Sequence, residues 1–347
     1  MNKKLRNFII PLAVAIVVTF LPFALIRVGV IDAYVSQILT LGGINAIIAI
    51  SVNMVTGIVG QLTLGQCAFE AIGAYCVIIF SQDLGVPLPV AMLIAPCMAA
   101  VFGFIIGFPT LKLDGDYLAI VTLAFGEIVR VVLVNLKGIT GGPNGKSFKF
   151  SFLRDDLFWG PALSYFVSIG MLVIVIVLLQ NFLRSTYGRA IKAIREDEVA
   201  ANSNGISVFK YKMIGFVIAS FIGGLGGAVY APIIGFIKPD IASFNNSVNM
   251  LIYVVLGGMG SISGTVIAAF VLTIIQEALR FLGNYRLLFY PVVLIIVMLF
   301  RPQGLMGMKE LSFVKSFDWA KKLMAKLPKK NKSAELSSET KNEGETK

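Results

Sequence analysis

The chain has 347 residues, of which 57% are hydrophobic and 14% charged, and it contains no histidine. Soluble domains carry about 25% charged residues, so this composition excludes an ordinary water-soluble domain and is typical of a membrane protein. The lack of histidine excludes histidine-based acid–base catalysis and removes the commonest metal ligand, and no cofactor is expected. The net charge of +11 does not indicate nucleic-acid binding, because the basic residues cluster in short connections and in the tail.

Long apolar segments follow one another along the chain. They lie at residues 8–30, 36–56, 62–81, 88–110, 117–136, 159–181, 213–236, 248–258, 262–280 and 285–301. A helix needs about 20 residues to cross a bilayer, and the alternating pattern of a membrane barrel is absent. The sequence therefore predicts an all-α integral membrane protein with about ten transmembrane helices. Segment 248–258 is too short to span alone, and the glycine-rich GGMGSISG after it predicts a broken or re-entrant helix.

The distribution of Lys and Arg predicts the orientation of the chain. With the N-terminus inside and ten crossings, 21 of the 30 basic residues fall on the inside, including those of the 182–212 loop and of the C-terminal tail. The opposite orientation would place the whole basic tail outside. The positive-inside rule thus favours cytoplasmic N- and C-termini. Nine crossings with one re-entrant element remain an alternative.

The domain organisation follows from the change in composition near the end of the chain. Residues 1–307 are predicted to form a transmembrane domain, with a cytoplasmic loop at about 182–212. Residues 308–327 are predicted to form an amphipathic helix at the membrane interface, because the stretch 312–327 places its apolar side chains on one helical face. Residues 328–347 lack apolar content and are predicted to be a disordered cytoplasmic tail.

Few charged residues lie within the apolar segments. Glu127 with Arg130, and Glu277 with Arg280, are spaced i,i+3 on one helical face, so each pair is predicted either to neutralise itself or to line a pathway. Glu70 has no obvious partner nearby. Glycine-rich breaks either let helices pack closely or expose helix ends to a polar solute. The resulting candidates for a translocation pathway are Gln66, Glu127, Gly257, Gly258 and Gly260.

One stretch resembles a phosphate-binding loop but does not match it. TGGPNGKS has Thr140 where the motif requires the first glycine, and the stretch follows an apolar span on the side predicted to be outside. We therefore interpret it as an external turn, and the chain carries no recognisable nucleotide site.

A compact charged stretch, REDEVAANSNGI at 195–206, interrupts the apolar chain on the predicted cytoplasmic side. It contains the pattern E-x-A-A-x-x-x-G, formed by Glu198, Ala200, Ala201 and Gly205. A helix through 189–202 would offer small alanines for close approach by another protein, and the glycine would end it. An ordinary linker helix is the alternative.

This loop, YGRAIKAIREDEVAANSNGIS, closely resembles the cytoplasmic loop of the branched-chain amino acid permeases, LivM type, of ATP-binding cassette (ABC) importers. GQLTLGQCAFEAIGAY, GDYLAIVTLAFGEIVRVVLVNLKGITGGPNG, YVVLGGMGSISGTVIAA and RPQGLMG are similar to the same family, and the resemblance spans about 36–307 in the expected order. Glu70 departs from it, because an apolar or aromatic residue is expected there.

The resemblance implies a type II importer fold in the cell membrane and import of leucine, isoleucine or valine, with no chemistry on this chain. It implies that the loop is a coupling helix docking in an ATPase groove. The implied partners are a second permease subunit of the same fold, two cytoplasmic ABC ATPase subunits and an extracytoplasmic substrate-binding protein. Urea, short amides or nucleosides are alternative cargoes, and an ATP-independent channel or secondary transporter is an alternative class. The residues assigned to ATPase coupling are Arg189, Glu198, Ala200, Ala201, Gly205 and Ile206.

Overall fold

The computed structural model describes residues 19–29, 31–113, 115–148 and 160–280, together with residues 295, 299 and 304–307. The predicted span at 285–301 lies outside these residues except for two positions. The predicted segments 308–327 and 328–347 lie wholly outside them.

The described chain is built almost entirely from α-helices. Their bounds in chain order are α1 at 19–27, α2 at Ala33–Asn53, α3 at Gln66–Ile78, α4 at Leu88–Thr110, α5 at Asp116–Asn135, α6 at Lys137–Thr140, α7 at Gly160–Arg184, α8 at Thr186–Glu196, α9 at Glu198–Ser203, α10 at Val208–Ile234, α11 at Phe244–Gly257 and α12 at Ile262–Ala278. Short π-helical turns extend α2 over Met54–Val59 and α3 over Ile79–Asp83.

Within the described residues, five helices are long and apolar enough to cross a membrane: α2 with its π-helical extension, α4, α5, α7 and α10. Large apolar side chains stay exposed on their outer faces, as Phe104 and Ile105 do on α4, at 54% and 55%. Such a surface suits contact with lipid. The chain is therefore a helical, multi-pass membrane protein. Helix α11 has 14 residues, or roughly 21 Å at 1.5 Å per residue, and is too short to span a core of about 30 Å.

Helix α10 lies at the centre of the bundle and packs against α2, α3 and α4. Glycines make this packing close. A side-chain carbon on Gly73 would overlap the carbonyl of Gly224, and one on Gly227 would overlap the carbonyl of Glu70. Small residues at helix crossings are the expected solution in lipid, where van der Waals contact replaces the hydrophobic driving force.

The chain between α2 and α3 is not helical where the sequence predicts a helix. The π-helical extension of α2 ends at Gly60, whose φ is +84°. Residues 61–65 are irregular and α3 begins at Gln66, so the predicted helix at 62–81 begins four residues late. The apolar residues of QLTLG fit either conformation, and contacts such as the Leu64 N–H to the Thr122 hydroxyl on α5, at 3.2 Å, decide it.

The two ends of the bundle are built differently. At one end, β1 (Lys146–Ser147) pairs antiparallel with β2 (Phe236–Ile237), and Lys146 forms an ion pair with Asp83. Here the chain after α10 forms a 3₁₀ turn at Pro239–Ala242 before α11 begins. We call this the hairpin end. Helices α8 and α9, the end of α2 and the break between α11 and α12 lie together at the other end, the loop end.

Candidate functional site

The loop between α7 and α10 folds as two short helices. Ser185 caps α8 by accepting a hydrogen bond from a backbone N–H of the first turn at 3.4 Å. Asp197 is extended, with φ −157°, and its carboxylate accepts a hydrogen bond from the Ala200 N–H at 2.9 Å. The prediction of one helix through 189–202 is therefore wrong. Aspartate competes for backbone N–H groups and stabilises a helix start, typically by ~1 kcal/mol.

Gly205 ends α9 in the left-handed conformation, with φ +79°. The Gly205 N–H donates to the Asn202 carbonyl at 2.9 Å and the Ile206 N–H donates to the Ala201 carbonyl at 3.1 Å. This pair of bonds is a Schellman motif, which satisfies the last carbonyls of a helix. The prediction that Gly205 ends the helix is confirmed. No atom lies within 4 Å of the position that a Gly205 side chain would take, so the backbone conformation alone requires glycine.

The exposed face of α8 and α9 differs from the predicted one. Arg189 and Ala200 are exposed, and Val199 is 78% exposed. Ala201, by contrast, is only 5% exposed and lies inside this chain. In this conformation the methyl group of Ala201 is covered by its own chain, and its assignment to ATPase coupling stays a prediction. Val199 and Ala200 form the exposed apolar tip of α9, which we call the α9 tip.

Glu198 is engaged within the chain. Its carboxylate lies 2.5 Å from the ammonium of Lys212 near the start of α10, and the Lys212 side chain is 4% exposed while that of Glu198 is 48% exposed. A buried charge is costly without a partner. The Glu198 carboxylate thus neutralises Lys212 and ties α9 to α10.

Arg195 joins α8 to two glycine turns elsewhere in the sequence. A side-chain carbon on Gly60 would lie 2.9 Å from the Arg195 Cγ, and one on Gly260 would lie 2.7 Å from the Arg195 Nη1. Gly60 and Gly260 have φ values of +84° and +92°. Both glycines therefore leave the space that the Arg195 side chain occupies between the end of α2 and the break after α11.

The break between α11 and α12 is a place of close backbone contact. A side-chain carbon on Gly257 would lie 2.6 Å from the Gly264 backbone of α12, and one on Gly258 would overlap the carbonyl of Gly307. The Leu305 N–H donates to the Leu256 carbonyl at 2.7 Å. The predicted break is confirmed, and its glycines bring α11, α12 and residues 304–307 together.

The Asn53 side chain on α2 forms two hydrogen bonds with the backbone of this break. Its Oδ1 accepts a hydrogen bond from the Gly260 N–H at 2.8 Å, and its Nδ2 donates to the Ser261 carbonyl at 3.1 Å. The Ser261 hydroxyl oxygen in turn caps α12 by accepting from the Gly264 N–H at 3.1 Å. The Gly260 N–H, the Ser261 carbonyl and the Gly264 N–H therefore have partners within the chain. In this conformation the Gly260 turn joins α2 to the break between α11 and α12.

The Glu127 carboxylate on α5 accepts hydrogen bonds from two neighbouring residues. Its Oε2 accepts from Arg130 Nε at 2.7 Å, and its Oε1 accepts from the Phe244 N–H, at the start of α11, at 3.2 Å. Arg130 also lies 3.7 Å from Asp240. The predicted i,i+3 pair is confirmed, as is the pair of Glu277 with Arg280 at 2.8 Å.

Gln66 opens α3 in the middle of the bundle and is 1% exposed. Its Oε1 accepts a hydrogen bond from the Ser51 hydroxyl on α2 at 3.1 Å. The structure thus brings the loop candidates and the glycine candidates together through Arg195, whereas Gln66 and Glu127 lie in other parts of the bundle.

These features accompany a clear similarity to known proteins. Residues 34–300 match the family model described as branched-chain amino acid transport system / permease component. The chain belongs to this permease family. The resemblance inferred from the loop and the three apolar motifs is confirmed.

Curated relatives of the permease cover most of its length. The high-affinity branched-chain amino acid transport system permease protein LivM of Escherichia coli (strain K12) is 37% identical over 88% of this chain and 76% of the relative. The LivM protein of Salmonella typhimurium is 36% identical over 86% and 74%. The permease protein LivH of E. coli (strain K12) is 28% identical over 79% and 95%. No solved structure matches the permease significantly.

The sequence did not reveal several residues that organise the site in the permease. Lys212 stands at the start of an apolar run, Arg195 belongs to a charged stretch, and Asn53 is one polar residue in an apolar helix. A lone Asn or Lys inside a predicted span is a usable signal, since a polar group there needs a partner. The identity of each partner depends on packing between segments up to 208 positions apart, as for Asn53 and Ser261.

Proposed function

We propose that this chain is a membrane-spanning permease subunit of an ABC importer that translocates the branched-chain amino acids leucine, isoleucine and valine. The observation that carries the proposal is family membership, with relatives of that named function aligned over more than four fifths of the chain. The five apolar spans supply the membrane-crossing body that such a subunit needs.

The complete importer contains further subunits in this proposal. Two cytoplasmic ABC ATPase subunits hydrolyse ATP, an extracytoplasmic binding protein delivers the amino acid, and a second permease of the same fold completes the pathway. The E. coli relatives support the last point, because LivM and LivH are two different permeases named for the same transport system. The fold is a type II importer permease of about ten helices in the cell membrane, with both termini and the loop end in the cytoplasm.

The loop end supplies the mechanical coupling. The α9 tip docks in a groove of the ATPase, and closure of the ATPase dimer displaces α9. The ion pair of Glu198 with Lys212 carries that displacement to α10. Arg195, which fills the space beside Gly60 and Gly260, carries it to the end of α2 and to the break between α11 and α12. Concerted movement of α10, the end of α2 and the break between α11 and α12 alternates the pathway between outward and inward access.

The decisive experiment is uptake by the complete importer in proteoliposomes, assembled from this chain and its native ATPase, companion permease and binding protein. Labelled leucine, isoleucine and valine should accumulate only with ATP inside, and urea, ribose and a nucleoside should not. Uptake without ATP would favour a channel or secondary transporter. Accumulation of urea or a nucleoside instead of leucine would change the cargo.

A further inference from the structure

Three buried polar atoms of the described chain have no hydrogen-bond partner, and all three lie within ten residues. They are Gln61 Oε1, Gln66 Nε2 and Glu70 Oε2. Their residues are 8%, 1% and 2% exposed. Buried polar groups without partners are rare and costly, so a cluster of three at one helix start indicates groups kept for a ligand.

The local geometry leaves these atoms available. The Gln66 Oε1 lies 3.1 Å from the Ser51 hydroxyl, which shares its single proton with the Ala219 carbonyl at 2.7 Å, and the Gln66 Nε2 has no partner. The Glu70 side chain lies one turn further along α3, and its Oε2 is buried without a partner. Gln66 and Glu70 are separated by one helical turn and share a face of α3.

The start of α3 adds a positive electrostatic potential to these polar groups. Its first residue follows Gly65, which provides no side-chain cap, and α3 is 13 residues long. The first N–H groups of a helix carry a partial positive charge and attract anions. In discontinuous transporter helices, such ends face the carboxylate of the substrate.

We propose that residues 61–70 form the binding station for the charged backbone of the transported amino acid. The start of α3 and Gln66 Nε2 donate to the substrate carboxylate, while Gln61 Oε1 and Glu70 Oε2 accept from its ammonium group. Donors for a carboxylate and two acceptors for an ammonium group together match a zwitterion. An uncharged sugar or a free anion would leave part of this set without a partner. This inference rests on the proposed function and adds the recognition site to it.

We assign a cavity at the hairpin end as the approach to this station. Its volume is about 500 Å³, and its lining includes Tyr230, Ile234, Lys238 and Asn249, within the size range of small-molecule sites.

The test compares stability with transport in the complete importer. Gln66→Leu removes an unpaired buried amide and Glu70→Gln replaces a buried carboxyl group, so the apparent melting temperature should stay the same or rise. Leucine uptake should fall at least tenfold, while ATP hydrolysis stimulated by the leucine-loaded binding protein persists. Gln61→Leu provides a third variant should one of these fail to fold.

Two control variants alter paired groups of the same kind. Glu277→Gln removes a carboxylate that already binds Tyr34 and Arg280, and Thr265→Val removes a buried hydroxyl that binds the Ser261 carbonyl at 2.9 Å. Both should keep uptake within twofold of the wild type once corrected for yield.

The outcomes separate this inference from the proposed function. Wild-type importer that fails to accumulate leucine contradicts the proposed function itself. Wild-type uptake together with full uptake in Gln66→Leu and Glu70→Gln overturns the binding station alone. A drop in melting temperature matched by equal losses of uptake and ATP hydrolysis also overturns it, since the groups would then be structural.

Discussion

The Lys212 ammonium lies 2.5 Å from the Glu198 carboxylate, and it joins the loop that we assign to ATPase docking to the central helix α10. Lys212 is almost fully buried, whereas Glu198 is half exposed. The glutamate of the coupling pattern therefore has a structural partner inside its own chain, and its role in docking must be separated from this role.

A double substitution makes that separation. Glu198→Gln should destabilise the chain by ~1–3 kcal/mol, less than for a fully buried pair because Glu198 is half exposed. Lys212→Met in the same chain removes the unpaired charge and should restore the melting temperature. Yield, thermal unfolding and leucine uptake are measured for both single variants and the double variant. Restored stability with restored uptake would limit Glu198 to a structural role, and restored stability with lost uptake would indicate docking.

The glycine at position 260 should be far less replaceable than the one at position 205. Both have positive φ, so Gly205→Ala and Gly260→Ala each incur a backbone cost of ~1–2 kcal/mol. The alanine at 205 meets open space, whereas the one at 260 would lie 2.7 Å from Arg195 Nη1. We expect the larger loss of melting temperature and of coupled ATP hydrolysis for Gly260→Ala. Arg195→Ala should partly rescue it, and equal losses for the two alanine variants would contradict the Arg195 contact.

Glu127 offers a test of pairing against transport. Glu127→Gln keeps an acceptor for the Phe244 N–H but leaves Arg130 without its nearest carboxylate. If pairing is the whole role, stability should fall by ~1 kcal/mol and recover when Arg130→Met is added. Folded yield and leucine uptake are compared in the single and double variants. Normal stability with reduced uptake would instead assign Glu127 to the pathway.

Apolar segments and one motif were enough to predict much of this fold. The run at 88–110 coincides with α4 (Leu88–Thr110), because nothing interrupts its hydrophobicity. The loop at 186–203 was located from its charge and its E-x-A-A-x-x-x-G pattern. Local signals fail where tertiary contacts decide the outcome. The late start of α3 and the position of Arg195 depend on contacts with distant segments, and the burial of Ala201 depends on how its short helix packs. Composition and periodicity do not determine these contacts.

Cysteine labelling checks the orientation of the two ends. In a chain whose native Cys67, Cys76 and Cys97 are replaced, Ser203→Cys on α9 should resist a membrane-impermeant thiol reagent in intact cells. Ser147→Cys on β1, which is exposed at the hairpin end, should react quickly. This expectation follows from the positive-inside rule, because basic residues lie in the loop that holds α8 and α9. Permeabilised cells, in which both positions should react, provide the control, and the reverse pattern in intact cells would invert the topology.

The α9 tip gives the sharpest test of ATPase docking because two neighbouring alanines differ in burial. Ala200 is exposed while Ala201 is 5% exposed, so Ala200→Trp should fold normally and Ala201→Trp should overfill a buried position and lower the yield. Val199→Asp replaces the 78% exposed apolar side chain beside Ala200 with a charge and should also leave the yield unchanged.

Both tip variants should reduce co-purification of the ATPase and abolish leucine uptake, because a groove that accepts a small apolar helix end has no room for an indole and no partner for a carboxylate. Asn202→Asp adds the same charge at an exposed position one turn further along α9, and it should keep both activities if docking is confined to the α9 tip. Normal ATPase binding and uptake in Ala200→Trp and Val199→Asp would remove α9 from the ATPase interface.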